Sequence, residues 1–167
     1  MKLRSHSRGA TLPVVLILAA MMLITAGAWL QASLVAARSS VAIRERVQAF
    51  HAADSALMRC SRMLSLALPA ASSSSADEPS RWRVKASFEG ISAVAVAPFA
   101  AWPYAKRAPQ CLIETWASSN DPASASYLVT ARSFGSMQDS EAWLQLQIDV
   151  ADGVAAQHWR RVVARPF

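Results

Sequence analysis

Residues 12–30 read LPVVLILAAMMLITAGAWL, nineteen consecutive uncharged and mostly apolar residues. The uncharged stretch is longer still, running from Gly9 to Ala37 with Arg8 before it and Arg38 after it. A helix of about 20 apolar residues matches the hydrocarbon thickness of a bilayer. Lipid offers no partner to a backbone amide, so a run that spans must close its hydrogen bonds internally, as a helix. Lys2, Arg4 and Arg8 stand on its N-terminal side. By the positive-inside tendency, that end faces the cytoplasm and everything after the run is exported. Two plainer readings compete: an uncleaved single anchor, and a secretory signal cut near Ala26-Gly27-Ala28. A secretory h-region is usually about 7–15 residues, shorter than this run.

Outward from the run, the composition describes one domain. The chain has 167 residues and a formal charge of +6, but three of its seventeen basic residues precede the apolar run. Fourteen basic residues against eleven acidic ones remain, so the exported part is only weakly basic. Cys60 and Cys111 are far apart and outside metal-ligand spacing. In an oxidising compartment an even pair reads first as a disulfide, the alternative being two buried thiols. A bridge would close about 50 residues and contribute about 4 kcal/mol by chain entropy.

Helical signals continue past the membrane run. Val47, Phe50, Ala53, Leu57, Cys60, Leu64 and Leu68 step by three or four and predict one buried face, with Arg44, Gln48, His51, Ser55, Arg59 and Arg62 opposite. No Gly or Pro intervenes between Ala28 and Leu68. One helix from about Ala10 to Leu68 would be a rod of roughly 85 Å at about 1.5 Å per residue.

The junction Arg8-Gly9-Ala10-Thr11-Leu12-Pro13-Val14-Val15-Leu16 resembles the prepilin peptidase site of type IV pilins and type II secretion pseudopilins. In that family a basic leader ends in Gly, the cut follows it, and the apolar helix anchors the subunit before assembly. The resemblance implies cleavage between Gly9 and Ala10 and N-methylation of Ala10. Pro13 takes the fourth mature position, where proline is frequent; in a first helical turn it removes an amide that has no intrahelical partner. The fifth mature position departs from the pattern, with Val14 where the family usually has Glu. A buried carboxylate needs a partner and a valine does not, so this departure points to a minor rather than a bulk subunit. Further on, Ala52-Ala53-Asp54-Ser55-Ala56-Leu57 resembles the AAExAL signature of PilX-type minor pilins, with Asp54 replacing Glu.

Residues 69–80 contain Pro69 and four consecutive serines and read as a polar linker. Alternation then predicts strands at Arg81–Phe88, Gln110–Trp116, Ser126–Ser133, Ala142–Val150 and Gln157–Ala164. Phe134 to Ser140 reads as a hairpin loop, and Asp152-Gly153 as a two-residue turn. The fold class is therefore α+β: a long N-terminal transmembrane-then-amphipathic helix packed on a small antiparallel sheet of three to five strands, the layout the pilin resemblance implies. Segments follow as 1–9 leader, 10–37 transmembrane or filament-core helix, 38–68 amphipathic continuation, 69–80 linker and 81–167 β-rich periplasmic domain.

Catalytic patterns are missing from the sequence. His6, His51 and His158 are scattered, and none lies at metal-ligand spacing to a Cys or carboxylate. No phosphate-cradling Gly-rich loop or nucleophile elbow occurs. The expectation is a non-enzymatic protein without metal or cofactor. Its expected partners are prepilin peptidase, the inner membrane, the pilus assembly platform, other minor pilins and the major pilin, in support of adhesion or twitching motility. A type II secretion pseudopilin is the alternative within the family. Outside it stands an anchored domain for DNA uptake, because Arg81, Arg83 and Lys85, and Arg160 and Arg161, flank Trp82 and Trp159. Ordinary strand alternation, with cations outward, accounts for the same residues and weighs more than nucleic acid as a partner.

Overall fold

The computed structural model describes residues 11–66, 78–117, 125–137, 140–151, 153–160, 162 and 164–167. Gly9, Ala10, the leader charges Lys2, Arg4 and Arg8, most of the 69–80 linker and Arg161 lie outside the described residues. One helix, α1, runs Thr11–Leu66, with Pro13 in its first turn. Four strands follow: β1 Gln110–Ala117, β2 Ala125–Phe134, β3 Glu141–Ala151 and β4 Val154–Arg160. They form one antiparallel sheet in the order β1-β2-β3-β4. The architecture is α+β, and the chain divides into two compact units, Met1–Ile43 and Arg44–Phe167.

Within the second unit, the C-terminal half of α1 packs on one face of the sheet. Its buried positions are Glu45, Ala49, Ala52, Ala53, Ala56, Leu57, Cys60, Ser61 and Leu64. Against them lie Cys111, Tyr127, Val129, Ala131, Leu146 and Ile148. The ladder aligns these residues, pairing Cys111 with Ala131, Val129 with Leu146 and Tyr127 with Ile148. The predicted stripe holds at Ala53, Leu57, Cys60 and Leu64, which are buried, while Leu68 lies outside the described residues. Its N-terminal end departs: Val47 and Phe50, expected inside, are about half exposed, and Glu45, Ala49, Ala52 and Ala56 are buried alongside it. Small side chains let the helix backbone come close enough for Ser133 Oγ to donate to the carbonyl oxygen of Ala49. A stripe of larger residues would hold that carbonyl away.

Arg81–Phe88 is not a strand. It forms two 3-10 turns, Arg81–Arg83 and Lys85–Ser87. The reason is a competing acceptor. The amides of Arg81 and Trp82 donate to the Glu114 carboxylate at 3.0 and 3.2 Å and are unavailable to a ladder. Trp82 and Phe88 bury on the second face of the sheet with Leu112 and Leu128, joined by Trp116, Trp143, Val162 and Phe167. Strand β4 starts at Val154 rather than Gln157, because Ala151 pairs with Val154 across a two-residue turn and Gly153 adopts φ +77°, which glycine takes without steric cost. It ends at Arg160 because Val162 joins the second-face cluster.

The Cys60–Cys111 disulfide is formed, joining α1 to β1 across a sequence separation of 51 residues. Cys60→Ser is expected to lower the unfolding free energy of the detergent-solubilised protein by about 4 kcal/mol in a denaturant titration. An unchanged midpoint would contradict the stapling role. On the helix face, Ala56→Leu is expected to destabilise by about 1–3 kcal/mol through overpacking. Val47→Ala should stay within about 0.5 kcal/mol of the parent, as exposed positions do; the reverse order would restore the stripe centred on Val47 and Phe50.

Candidate functional site: an exposed apolar helix

Every residue of α1 in the first unit, from Thr11 to Ile43, is exposed. Between Leu12 and Val35, fourteen large apolar side chains are more than half exposed, Trp29 at 78% and Leu23 at 74% among them. At about 1.5–3 kcal/mol for burying each such side chain, leaving them in water costs on the order of 20 kcal/mol. That exceeds the whole stability of an ordinary domain, about 5–15 kcal/mol. An apolar phase or an apolar partner has to cover this segment. It is long and apolar enough to cross a membrane.

Two hydroxyls in the segment bond within the helix. Thr25 Oγ1 lies 3.0 Å from the carbonyl oxygens of Met21 and Met22, and Ser33 Oγ donates to Leu30 O at 2.8 Å. A hydroxyl that bonds back into its own helix carries no unmet demand into lipid. Val14, where the resemblance expects a carboxylate, is 53% exposed.

The second unit begins with a latch between α1 and the β2–β3 loop. Glu45 accepts from Ser136 N at 2.7 Å, Ser136 Oγ at 2.6 Å and Met137 N at 3.3 Å. Gly135 permits the approach, since a Cβ there would lie 2.6 Å from Glu45 Oε2 and 2.8 Å from Ser140 Cβ. The Ser136 hydroxyl is the main influence holding the Glu45 carboxyl below its ordinary pKa; partial burial opposes it, and the two amides reinforce it. Glu114 goes the other way: burial raises its pKa despite the two amides it accepts. Neither carboxylate stands out in the sequence. The signal that could have found Glu45 is a lone acidic residue on the stripe that turns toward the sheet.

The cations singled out in the sequence are only partly brought together. Arg83 and Arg160 line one cavity of about 350 Å³ with Trp82 and Arg165. Trp82 is buried, and the Arg83 guanidinium sits 4.7 Å from its ring centroid. Arg160 pairs with Glu78 at 2.8 Å. Lys85 belongs to a second cavity and pairs with Glu89 at 3.6 Å, while Arg81 is exposed and outside both linings. The exposed Trp159 is thus the ring left for stacking in the two motifs. No group of three or more His, Cys, Asp or Glu able to hold a metal occurs among the described residues. Comparison with protein-family models, with curated proteins and with solved structures yields no match.

The depressed Glu45 pKa sets a pH signature. Its stabilising contribution is fully present above the ordinary carboxylate range and is lost as pH falls through the lower folded-state value. Glu45→Gln is therefore expected to melt below the parent at neutral pH, with the gap closing in acid. A gap independent of pH would show that the carboxylate charge is not what holds the loop.

Proposed function

We propose that this protein is a minor subunit of a type IV pilus-like filament, held in the inner membrane by the apolar half of α1 before assembly. The observation that carries the reading is a helix whose first half is exposed among the described residues and whose second half belongs to a disulfide-stapled α+β domain. A filament subunit needs both features, because the anchor must leave lipid and become a packed core while the domain stays folded outside it.

The exchange is between two apolar environments, so water contributes little drive to it. Close packing decides the outcome, and small residues such as Ala19, Ala20, Ala26 and Gly27 let neighbouring helices approach. A valine at position 14 enters such a core without a counter-ion, whereas a carboxylate would need one. That supports a priming or capping place over a repeating one. The work of the protein on this reading is assembly: prepilin peptidase cuts after Gly9, and the assembly platform joins the subunit to other minor pilins and the major pilin.

N-terminal sequencing and intact mass of protein extracted from membranes containing an active prepilin peptidase test the reading. A mature start at Ala10 carrying one methyl group is expected, and Gly9→Val should leave the leader in place. An intact Met1 under those conditions rejects the proposal, and a start near Trp29 would identify a secreted domain instead.

A further inference from the structure

Beyond assembly, the second face of the sheet carries a cavity of about 210 Å³ that the proposed function does not use. Its wall holds Lys85, Arg107, Arg132 and Arg165 against two carboxylates, Glu89 and Glu141, and Arg165 Nε also donates to Phe167 O at 2.7 Å. Both carboxylates are already heavily engaged. Glu89 faces Arg132 at 2.8 Å, Arg107 at 3.4 Å and Lys85 at 3.6 Å. Glu141 faces Arg132 at 2.9 Å and Arg165 at 3.2 Å, and also accepts from Trp143 Nε1 at 3.3 Å. The cations crowd around Glu89 strongly enough to hold its carboxyl below the ordinary range, the Arg132 hydrogen bond being the largest influence.

Arg132 is the fixed point of the wall. Only 3% of its side chain is exposed, and its guanidinium carbon lies 4.6, 4.9 and 5.3 Å from the ring centroids of Phe134, Phe167 and Trp143. Three rings and two carboxylates hold the group in one orientation before anything binds. Its buried Nε–H nevertheless finds no acceptor among the described residues, an expensive omission for a charged donor away from water. A purely structural ion-pair cluster would match its charges. This wall has more cation than carboxylate.

We infer that the Arg132 cavity is a binding site for a small oxyanion, a carboxylate or a phosphate, whose oxygens would take the donors that Glu89 and Glu141 leave unfilled. Planar guanidinium groups suit both ligands, because each offers two oxygens at matching spacing. Arg107 and Arg165, about half exposed at the rim, would close on the anion, while Arg132 provides the rigid floor. Pre-organisation of the floor lowers the ordering cost of binding.

The test is calorimetric titration of the full chain in neutral detergent at low ionic strength, with succinate and inorganic phosphate as separate probes. Saturable binding of at least one probe is expected, and which probe binds distinguishes a carboxylate site from a phosphate site. Arg107→Gln and Arg165→Gln, both rim changes that leave the core intact, should each weaken binding about tenfold, the loss of one charge-assisted hydrogen bond. Arg62→Gln, on the exposed side of α1, should bind as the parent does. Lack of saturation with both probes overturns the inference. So does binding that survives both rim substitutions, or that falls equally in Arg62→Gln. None of these outcomes bears on processing at Gly9, so the site and the filament reading stand or fall separately.

Discussion

Strand β2 has almost no solvent face: nine of its ten residues are buried. A strand closed on both sides demands two covering layers, and each is built from different material. Tyr127, Val129 and Ala131 meet the alanine stripe of α1, while Leu128 meets Trp82, Phe88 and Leu112 from turns and β1 on the other side. Register is therefore stringent. A slip of one residue would carry Thr130 and Arg132 into the helix interface and push Val129 into the aromatic cluster. The Cys60–Cys111 bond reinforces the same register, since Cys111 pairs with Ala131 across the ladder.

Polar groups in this unit are arranged to close what the irregular backbone leaves open. Glu114 takes the two amides that begin the first 3-10 turn, and Glu45 takes the amides and hydroxyl of the β2–β3 loop. Their pKa values move in opposite directions because the balance differs at each site. Around Glu114 burial outweighs two amide donors, whereas around Glu45 a short hydroxyl contact outweighs it. One carboxylate is held against its preference by the fold. The other is made more acidic by the loop it fastens.

The two units face different physical problems. The second is a disulfide-stapled domain with a core on each face of its sheet. The first contains the run from Leu12 to Leu30, without a charge on any side of the helix and with the Thr25 hydroxyl turned back on its own carbonyls. That run suits lipid or a bundle of similar helices better than water. A single continuous helical element shared by both units, Thr11–Leu66, is what makes an anchor and a filament core two states of the same segment in the proposed function.

Local periodicity was enough to read much of this from the residues alone. Nineteen uncharged residues defined the apolar helix, and alternation such as Leu144, Leu146 and Ile148 placed three strands within a residue or so of their observed limits. What periodicity does not contain is the identity of distant partners. Ala53, Leu57, Cys60 and Leu64 are buried as their spacing predicts, yet in place of Val47 and Phe50 the sheet selects Ala49, Ala52 and Ala56, because close approach of the backbone favours small side chains. Arg81–Phe88 alternates like a strand, but a carboxylate 32 residues away from Trp82 captures its amides. The Arg132 cavity gathers residues from Lys85 to Phe167, and no window along the chain holds more than a fragment of it. Short-range pattern specifies which elements form; which faces meet, and which charges gather, depends on contacts that only the folded chain can make.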